Sequence, residues 1–235
     1  MCPDDSGETR ERLKPLMSKH FELEMERLKR QILRLAGVVE DSVGKAVVSI
    51  ETRDSELAQQ VIDADDDVDA QEVEVEEECL KILALHQPVA FDLRFLVAVL
   101  KLNNDLERIG DLAVNIAERA SAVVERTDLS SPIEIGPMAE QVRSMLADSL
   151  DALVNVDVSL ARRVLDADDV ADDMHRMNFR RVEDAIRARP EEVSAYTHYL
   201  SVSRYLERIA DHATNIAEDV IYLGSGAIVR HKSTS

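Results

Sequence analysis

The stretch Leu106–Glu118, LERIGDLAVNIAE, decides the fold because the chain contains it twice. Leu206–Glu218 reads LERIADHATNIAE, which is identical at ten of the thirteen positions and lies 100 residues further along. An acidic segment upstream is repeated as well, since VIDADDDVD at 61–69 is echoed by VLDADDVAD at 164–172. Repetition on this scale predicts that the chain is built from two similar structural units.

Apolar residues recur at three- and four-residue steps through long stretches, which predicts amphipathic helices. Aromatic residues make up only 3% of the chain, as is typical of a helical protein with cores of Leu, Val, Ile and Ala. We therefore predict an all-α fold of six long antiparallel helices in two tandem three-helix bundles, each with a long helix, an acidic helix and a motif helix. The predicted parts are a flexible N-terminal tail (1–16), the first bundle (17–125), a linker (126–136), the second bundle (137–224) and a C-terminal tail (225–235).

The second helix, predicted to run from Ser55 to His86, is unusually acidic. Residues 54–78 hold twelve acids and no base. So many like charges destabilise a helix unless solvent, cations or a partner relieve them. Asp65 and Glu72 also fall at heptad positions where apolar residues would be expected.

The acids of the repeats are paired. Each motif copy holds a Glu and an Asp four residues apart, and each acidic segment holds two Asp at the same spacing. Four residues are just over one helical turn, so the members of a pair share one helix face. If neighbouring helices present their pairs together, four carboxylates converge and suit Mg²⁺, Ca²⁺, Mn²⁺ or bridged iron. The predicted metal ligands are Asp65, Asp69, Glu107, Asp111, Asp168, Asp172, Glu207 and Asp211.

The same acids also suit a solvated surface on which each acid is matched by a base. Each motif Glu is followed directly by an Arg, which fits ordinary surface ion pairs. The motif asparagines, Asn115 and Asn215, suit a contact with a neighbouring helix as well as a metal ion. In this alternative the protein is a metal-independent helical adaptor or scaffold.

The formal net charge of −19 argues against nucleic acid and anionic membrane surfaces as direct ligands. It favours cations or a basic patch on another protein. No apolar run approaches the roughly 20 residues of a membrane span, and the first residues lack a secretory hydrophobic region. We expect a protein that is not inserted in a membrane and is cytoplasmic.

The sequence contains no phosphate-binding Gly-rich loop and no Gly-x-Ser-x-Gly nucleophile motif. Asp172 and His175 have the spacing found in di-iron bundles, but such bundles need two Glu-x-x-His motifs and the chain has none. We expect no catalytic residues and no enzymatic activity. A homodimer is expected, because long helices with two apolar stripes leave surface for self-association.

With two LER-I-x-D-x-A-x-N-I-A segments, each preceded by V-[IL]-D-A-D-D, the sequence resembles the PhoU family. Residues 87–111, QPVAFDLRFLVAVLKLNNDLERIGD, are similar to the signature stretch of that family. The resemblance extends from about Phe21 to Leu223. One small departure is Ala210, which stands where the first copy has Gly110.

The resemblance implies more than the residues alone. It implies that the two bundles are related by a pseudo-twofold axis. It also implies a negative regulator of phosphate uptake and of the phosphate-starvation response, which links the ATPase of the phosphate ABC transporter to the phosphate sensor histidine kinase. Metal clusters of the family are held by [ED]-x-x-x-D motifs, and those motifs fall on the eight carboxylates named above.

Overall fold

A computed structural model describes residues 6–124 and 130–225, and every regular element in these ranges is helical. The elements are α1 (Ser6–Thr52), α2 (Ser55–Asp63), α3 (Asp65–His86), α4 (Ala90–Val123), α5 (Ile135–Asn155), α6 (Val158–Ala188), a 3₁₀ turn (Pro190–Glu192) and α7 (Val193–Ser225). The prediction of an all-α fold is confirmed. No helix in the described part of the chain combines the length and apolar character that crossing a membrane requires.

Two groups of helices pack around apolar cores. Helices α1 to α4 contact one another in the first half, and α5, α6 and α7 do so in the second. The repeated motif supplies the centre of each core, because its Leu and Ile side chains recur on the inward face of α4 and α7. These almost fully buried side chains are Leu106, Ile109, Ile116, Leu206, Ile209 and Ile216.

The motif helices α4 and α7 also pack against each other and join the two halves. Lys101 Nζ lies 2.5 Å from Asp219 Oδ1, and His212 Nδ1 lies 2.8 Å from Asp105 Oδ1. Asn215 Nδ2 donates to the same Asp105 oxygen at 3.4 Å. Asn215 therefore serves a contact between helices, which was one of its two expected roles.

The prediction of one continuous acidic helix from Ser55 to His86 is wrong. The chain ends α2 at Asp63 and begins α3 at Asp65, with Ala64 at φ −81° and ψ −8° between them. The new helix start places three consecutive aspartates, 65–67, in a first turn. Carboxylates there meet the positive end of a helix dipole instead of lying in a helix interior.

Some predicted boundaries also differ. Helix α1 begins at Ser6 and so includes most of the segment predicted as an N-terminal tail at 1–16, while residues 1–5 lie outside the described part. Glu, Arg and Leu in this segment favour helix, and lengthening an existing helix needs no new nucleus. Helix α5 begins at Ile135, inside the predicted linker. Residue 125 of the predicted first bundle, residues 126–129 of the predicted linker and residues 226–235 of the predicted C-terminal tail lie outside the described residues.

Gly110 allows α4 to approach α3 closely beside the motif acids. A Cβ atom at position 110 would lie 3.2 Å from Val68 Cγ1 and 3.9 Å from Asp65 Oδ1. In the second half, the equivalent pair consists of Ala171 and Ala210, both fully buried. In the second half, two alanines thus take the places of Val68 and Gly110. The smaller residue on the acidic helix leaves room for the Cβ atom of Ala210 in the second motif.

We expect this size exchange to appear as coupling between two substitutions. Val68→Ala alone should lower the free energy of unfolding by about 1–2 kcal/mol, because it leaves a cavity. Gly110→Ala should be more favourable in that background than in the wild type by about 1 kcal/mol, because the added methyl group then meets no valine. A double-mutant cycle in urea measures the coupling. The control pair, Val75→Ala with Gly110→Ala, should be additive, and equal coupling in both pairs would contradict the explanation.

Candidate metal centre

The first group of predicted ligands lies where α3 packs against α4. We call the contact that carries Asp65, Asp69, Glu107 and Asp111 the first seam. Burial raises the pKa of Asp65, and the nearby charges of Asp69 on α3 and Asp111 on α4 raise it further. Burial likewise raises the pKa of Glu107, with a further contribution from Asp111. The acids of the two helices are therefore close enough to repel one another.

The second group lies where α6 packs against α7. We call the contact that carries Asp168, Asp172, Glu207 and Asp211 the second seam. Burial raises the pKa of Asp168 to about 6, with further contributions from Asp211 across the seam and from Asp172. The pKa of Glu207 is raised by burial first and then by Asp211 and Asp172. The fold thus places the four predicted acids of each half along one contact between two helices.

Arginines offset part of the negative charge. In the first seam, Arg108 Nε lies 3.3 Å from Glu107 Oε2, and its guanidinium also lies 3.4 Å from Asp111 Oδ2. In the second seam, Arg204 lowers the pKa of Glu207, and Arg176 lies 3.9 Å from Asp172. The Arg108 and Arg176 side chains are more than half exposed, so these ion pairs contribute little stability.

Donor chemistry fits a hard cation in both seams, since carboxylate oxygens are the ligands that such ions take. Within the described residues, however, no three His, Cys, Asp or Glu side chains are grouped closely enough to hold one ion. Binding would therefore require side-chain rotation, for which Asp69 and Asp211 are sufficiently exposed. One buried oxygen also needs a partner: Asn103 Oδ1 has no hydrogen-bond partner in the described part of the chain. An unpaired buried carbonyl of this kind suits a water molecule or an ion.

Asn103 belongs to the first seam through Glu72. Its side-chain amide donates to Glu72 Oε1 at 2.9 Å and to the Glu72 backbone carbonyl at 2.8 Å. Glu72 lies three residues after Asp69 on the same face of α3. Its pKa is raised by burial and by the charges of Glu76 and Asp69. Glu72 is thus a fifth carboxylate beside the predicted four.

The second seam has a different residue at the position of Glu72. His175 follows Asp172 by three residues, and its Nδ1 lies 3.0 Å from Ser203 Oγ on α7. Asn178 Nδ2 donates to the same hydroxyl oxygen at 3.1 Å. Burial lowers the pKa of His175, which favours the neutral imidazole. The set of ligands predicted from the sequence contained neither Glu72 nor His175. Their equivalence could have been found, because the two acidic repeats are offset by 103 residues and Glu72 then aligns with His175.

Comparison with known proteins gives the family. The sequence matches the family described as PhoU domain twice, over residues 32–120 and 135–220. It is 39% identical over 218 residues to the phosphate-specific transport system accessory protein PhoU homolog of Pseudomonas putida, covering 92% of this chain and 84% of the relative. The protein of the same description from Aquifex aeolicus is 38% identical over 209 residues, covering 89% and 95%.

Solved structures agree in fold. The crystal structure of PhoU from Pseudomonas aeruginosa superposes with a TM-score of 0.84 at 38% identity, covering 88% of this chain and all of that one. The phosphate transport system regulatory protein PhoU from Streptococcus pneumoniae gives a TM-score of 0.81 at 29% identity, covering 90% of this chain and all of that one. These matches agree with the repeated motif and with the two helical halves. The chain belongs to the PhoU family.

Proposed function

We propose that this protein is a non-catalytic negative regulator of phosphate uptake and phosphate-starvation signalling. It couples the ATPase subunit of the phosphate ABC transporter to the phosphate sensor histidine kinase. The observation that carries the proposal is the presence of two acidic seams at equivalent places in a chain of the PhoU family. Relatives described as accessory proteins of phosphate-specific transport support the pathway.

In this proposal each seam holds metal through the carboxylates of its two helices. The bound cation supplies positive charge that offsets the repulsion between those carboxylates. The residues themselves contribute the oxygen ligands, and the core side chains of the motif hold the two helices at a fixed distance. Iron, Mg²⁺, Mn²⁺ and Ca²⁺ all suit carboxylate ligands, so the proposal is for a hard or borderline cation.

The protein acts in the cytoplasm as a homodimer in this proposal. Support for self-association comes from large apolar side chains that are exposed close to one another in the chain, since grouped exposed apolar surface marks interaction sites. Leu85 is 60% exposed and Val89 is 73% exposed at the turn between α3 and α4. Size-exclusion chromatography with light scattering should give twice the monomer mass of 26.3 kDa. A mass equal to the monomer at micromolar concentration would contradict the dimer.

Removing two motif acids should remove one metal site. In Glu107→Ala/Asp111→Ala, we expect metal analysis after dialysis to show loss of the first-seam ions while the second seam remains occupied. Chelation should also destabilise the wild type, by about 2.7 kcal/mol relative to protein with free ion at 100 times Kd. Glu118→Ala is the matched control, because Glu118 is an exposed acid on the same helix.

The metal-independent adaptor remains the second candidate, favoured by the Arg108 ion pairs and by the lack of a preformed three-ligand group in the described part. It predicts full metal independence. An unchanged melting temperature after chelation, with unchanged metal content in the double variant, would support the adaptor and exclude the metal proposal.

The regulatory role is tested separately in cells. Deleting the gene should switch on a phosphate-starvation reporter in phosphate-rich medium, and the wild-type gene should restore repression. Purified protein should bind the transporter ATPase and the cytoplasmic part of the sensor kinase in a surface-immobilised binding assay. A silent reporter together with no binding to either partner would exclude the coupling role.

A further inference from the structure

Three of the four phenylalanines in the chain line one surface cleft of about 400 Å³. Aromatic residues make up only 3% of the sequence, so the cleft gathers a type of side chain that is scarce elsewhere. Its apolar lining consists of Phe21, Met25, Phe91, Phe95, Val154 and Val156. Aromatic residues and Met are enriched at protein interfaces relative to the rest of the surface. The cleft therefore has the composition of a contact site.

The cleft forms where the two halves of the molecule meet. Helices α1 and α4 line it from the first half, and the turn between α5 and α6 lines it from the second. Met25 and Phe95 are buried, whereas Phe91 is 44% exposed and Val154 is 49% exposed. A partner thus reaches aromatic surface without any movement of the core. None of the eight predicted metal ligands lines this cleft, so it is distinct from both seams.

The backbone beside the cleft adopts unfavourable conformations. Val156 has φ 51° and ψ 40°, in the left-handed region that a β-branched residue rarely enters. Ala90, directly before Phe91, has φ 50°. Glycine would take either position at a lower cost, but at 156 it would remove an apolar wall of the cleft. Residues in such conformations cluster at binding sites, which supports a function for this surface.

The charged residues around the cleft favour a basic occupant. Among the described residues that line it, Glu22, Glu26 and Asp92 are acidic and Lys29 is basic. Lys29 is already engaged within the protein, because its Nζ lies 2.9 Å from Glu26 Oε1 and 5.9 Å from the centre of the Phe95 ring. A net charge of −19 opposes the approach of a second copy of this chain to the acidic rim. Basic side chains next to apolar ones would complement the cleft.

We infer that the cleft receives a short peptide segment of a partner protein. Apolar side chains of the segment fill the aromatic lining, and adjoining Lys or Arg side chains meet the acidic rim. A cavity of this size takes a few side chains and not a folded domain. The inference rests on the proposed function, because the transporter ATPase subunit and the sensor kinase are the partners that would supply the segment. It adds the surface and the chemistry of that contact.

The test selects random peptides of about 12 residues, displayed on phage, on the full-length wild-type protein. Phe91→Ala/Val154→Ala protein serves for counter-selection. We expect the surviving peptides to combine apolar residues with Lys or Arg. The affinity of the strongest peptide, measured by fluorescence polarisation, should fall at least 10-fold on Phe91→Ala, since truncating an aromatic anchor commonly has an effect of this size. Asp92→Asn should weaken binding by a smaller factor, which shrinks further at high salt.

Two matched controls are available in the chain. Phe179 is the remaining phenylalanine and is 47% exposed on α6, so Phe179→Ala removes a ring as accessible as that of Phe91. Glu118→Gln is the control for Asp92→Asn, because Glu118 is an exposed acid on the same helix. Both controls should keep the wild-type affinity for the peptide. Melting followed by circular dichroism checks that every variant is folded.

Several outcomes would overturn the inference. These are equal peptide affinity for the wild type and Phe91→Ala, a selection that yields no peptide specific to the wild type, and selected peptides that lack basic residues. A dimer that dissociates on Phe91→Ala would also overturn it, because a second copy would then be the occupant.

Competition separates this inference from the proposed function. Saturating peptide should displace the transporter ATPase subunit or the cytoplasmic part of the sensor kinase from the wild-type protein. Partner binding that persists with saturating peptide would overturn the inference and leave the coupling role intact. Binding of the peptide at the cleft with no binding of either partner would overturn the coupling role and support the cleft as a peptide site.

Discussion

Replacing Leu206 with Ala is expected to lower the free energy of unfolding by about 3 kcal/mol, within the range of 2–5 kcal/mol for such substitutions. Leu206 is completely buried and opens the second copy of the repeated motif. The substitution removes apolar surface from the core and leaves a cavity that the flanking helices fill only in part. For a chain of this size, the melting temperature should fall by roughly 6–12 °C.

Circular dichroism during heating and urea titration, both in chelator, measures the change. Leu23→Ala provides the control because this leucine is 58% exposed. Its substitution should change stability by no more than about 0.5 kcal/mol. Leu106→Ala should reproduce the effect of Leu206→Ala in the first half, since Leu106 is equally buried. Similar losses for Leu23→Ala and Leu206→Ala would contradict the core position of the motif.

Asp168→Asn is expected to stabilise the metal-free protein above pH 6. In the folded chain the Asp168 pKa is raised from 3.8 to about 6, by burial first and then by Asp211 and Asp172. The folded state holds this proton more tightly than the unfolded state. The stabilisation of the folded state that comes from protonated Asp168 is therefore fully present below about pH 4, and it is lost as the pH rises through 6. The neutral Asn avoids that loss.

A shift of this size corresponds to about 2–3 kcal/mol, and solvent screening of a partly exposed group reduces the expected gain to about 1–2 kcal/mol. Urea titrations in chelator at pH 4, 5, 6 and 7.5 measure the difference between variant and wild type. The gain should be largest at pH 7.5 and should vanish near pH 4. A saturating divalent cation should reverse the order, because the wild type keeps a charged ligand that the variant lacks.

Asp166→Asn is the matched control, since Asp166 is exposed on the same helix. It should show no pH-dependent gain. A variant at position 168 that follows the wild-type curve at every pH would mean that the second-seam acids do not repel one another in the folded chain. If the variant keeps the same gain in stability when the cation is present, the second seam is a surface on which like charges repel and is not a metal site.

Much of the fold was predictable from periodicity, because the apolar faces of α4 and α7 leave few ways to bury Leu106 and Leu206. The break at Ala64 was not predictable in the same way. An apolar pattern continues across it, and only the arrangement of charges at the start of α3 favours a new helix terminus. Helix ends depend on such local balances, which is why the predicted limits of α1 and α5 also differ from those observed.

The pairing of acids within each helix followed from a spacing of four residues. The pairing between helices did not, since it depends on the depth at which α3 lies against α4. Gly110 and Val68 set that depth in the first half, and Ala210 and Ala171 occupy the same places in the second. The repeated sequence suggested that the two halves are equivalent. It did not show how closely the acids of α3 and α4 approach each other, and this approach contributes to the raised pKa of Asp65.

The sequence by itself determined the all-helical fold, the two-fold repetition and the identity of the carboxylate pairs. These features depend on helical periodicity and on local spacing, which a linear pattern contains. Only the tertiary structure decided that Glu72 meets Asn103, that His175 meets Ser203, and that α4 joins α7 across the two halves. Such contacts join residues 25 or more positions apart, and their geometry arises from side-chain packing between helices, which no local pattern encodes.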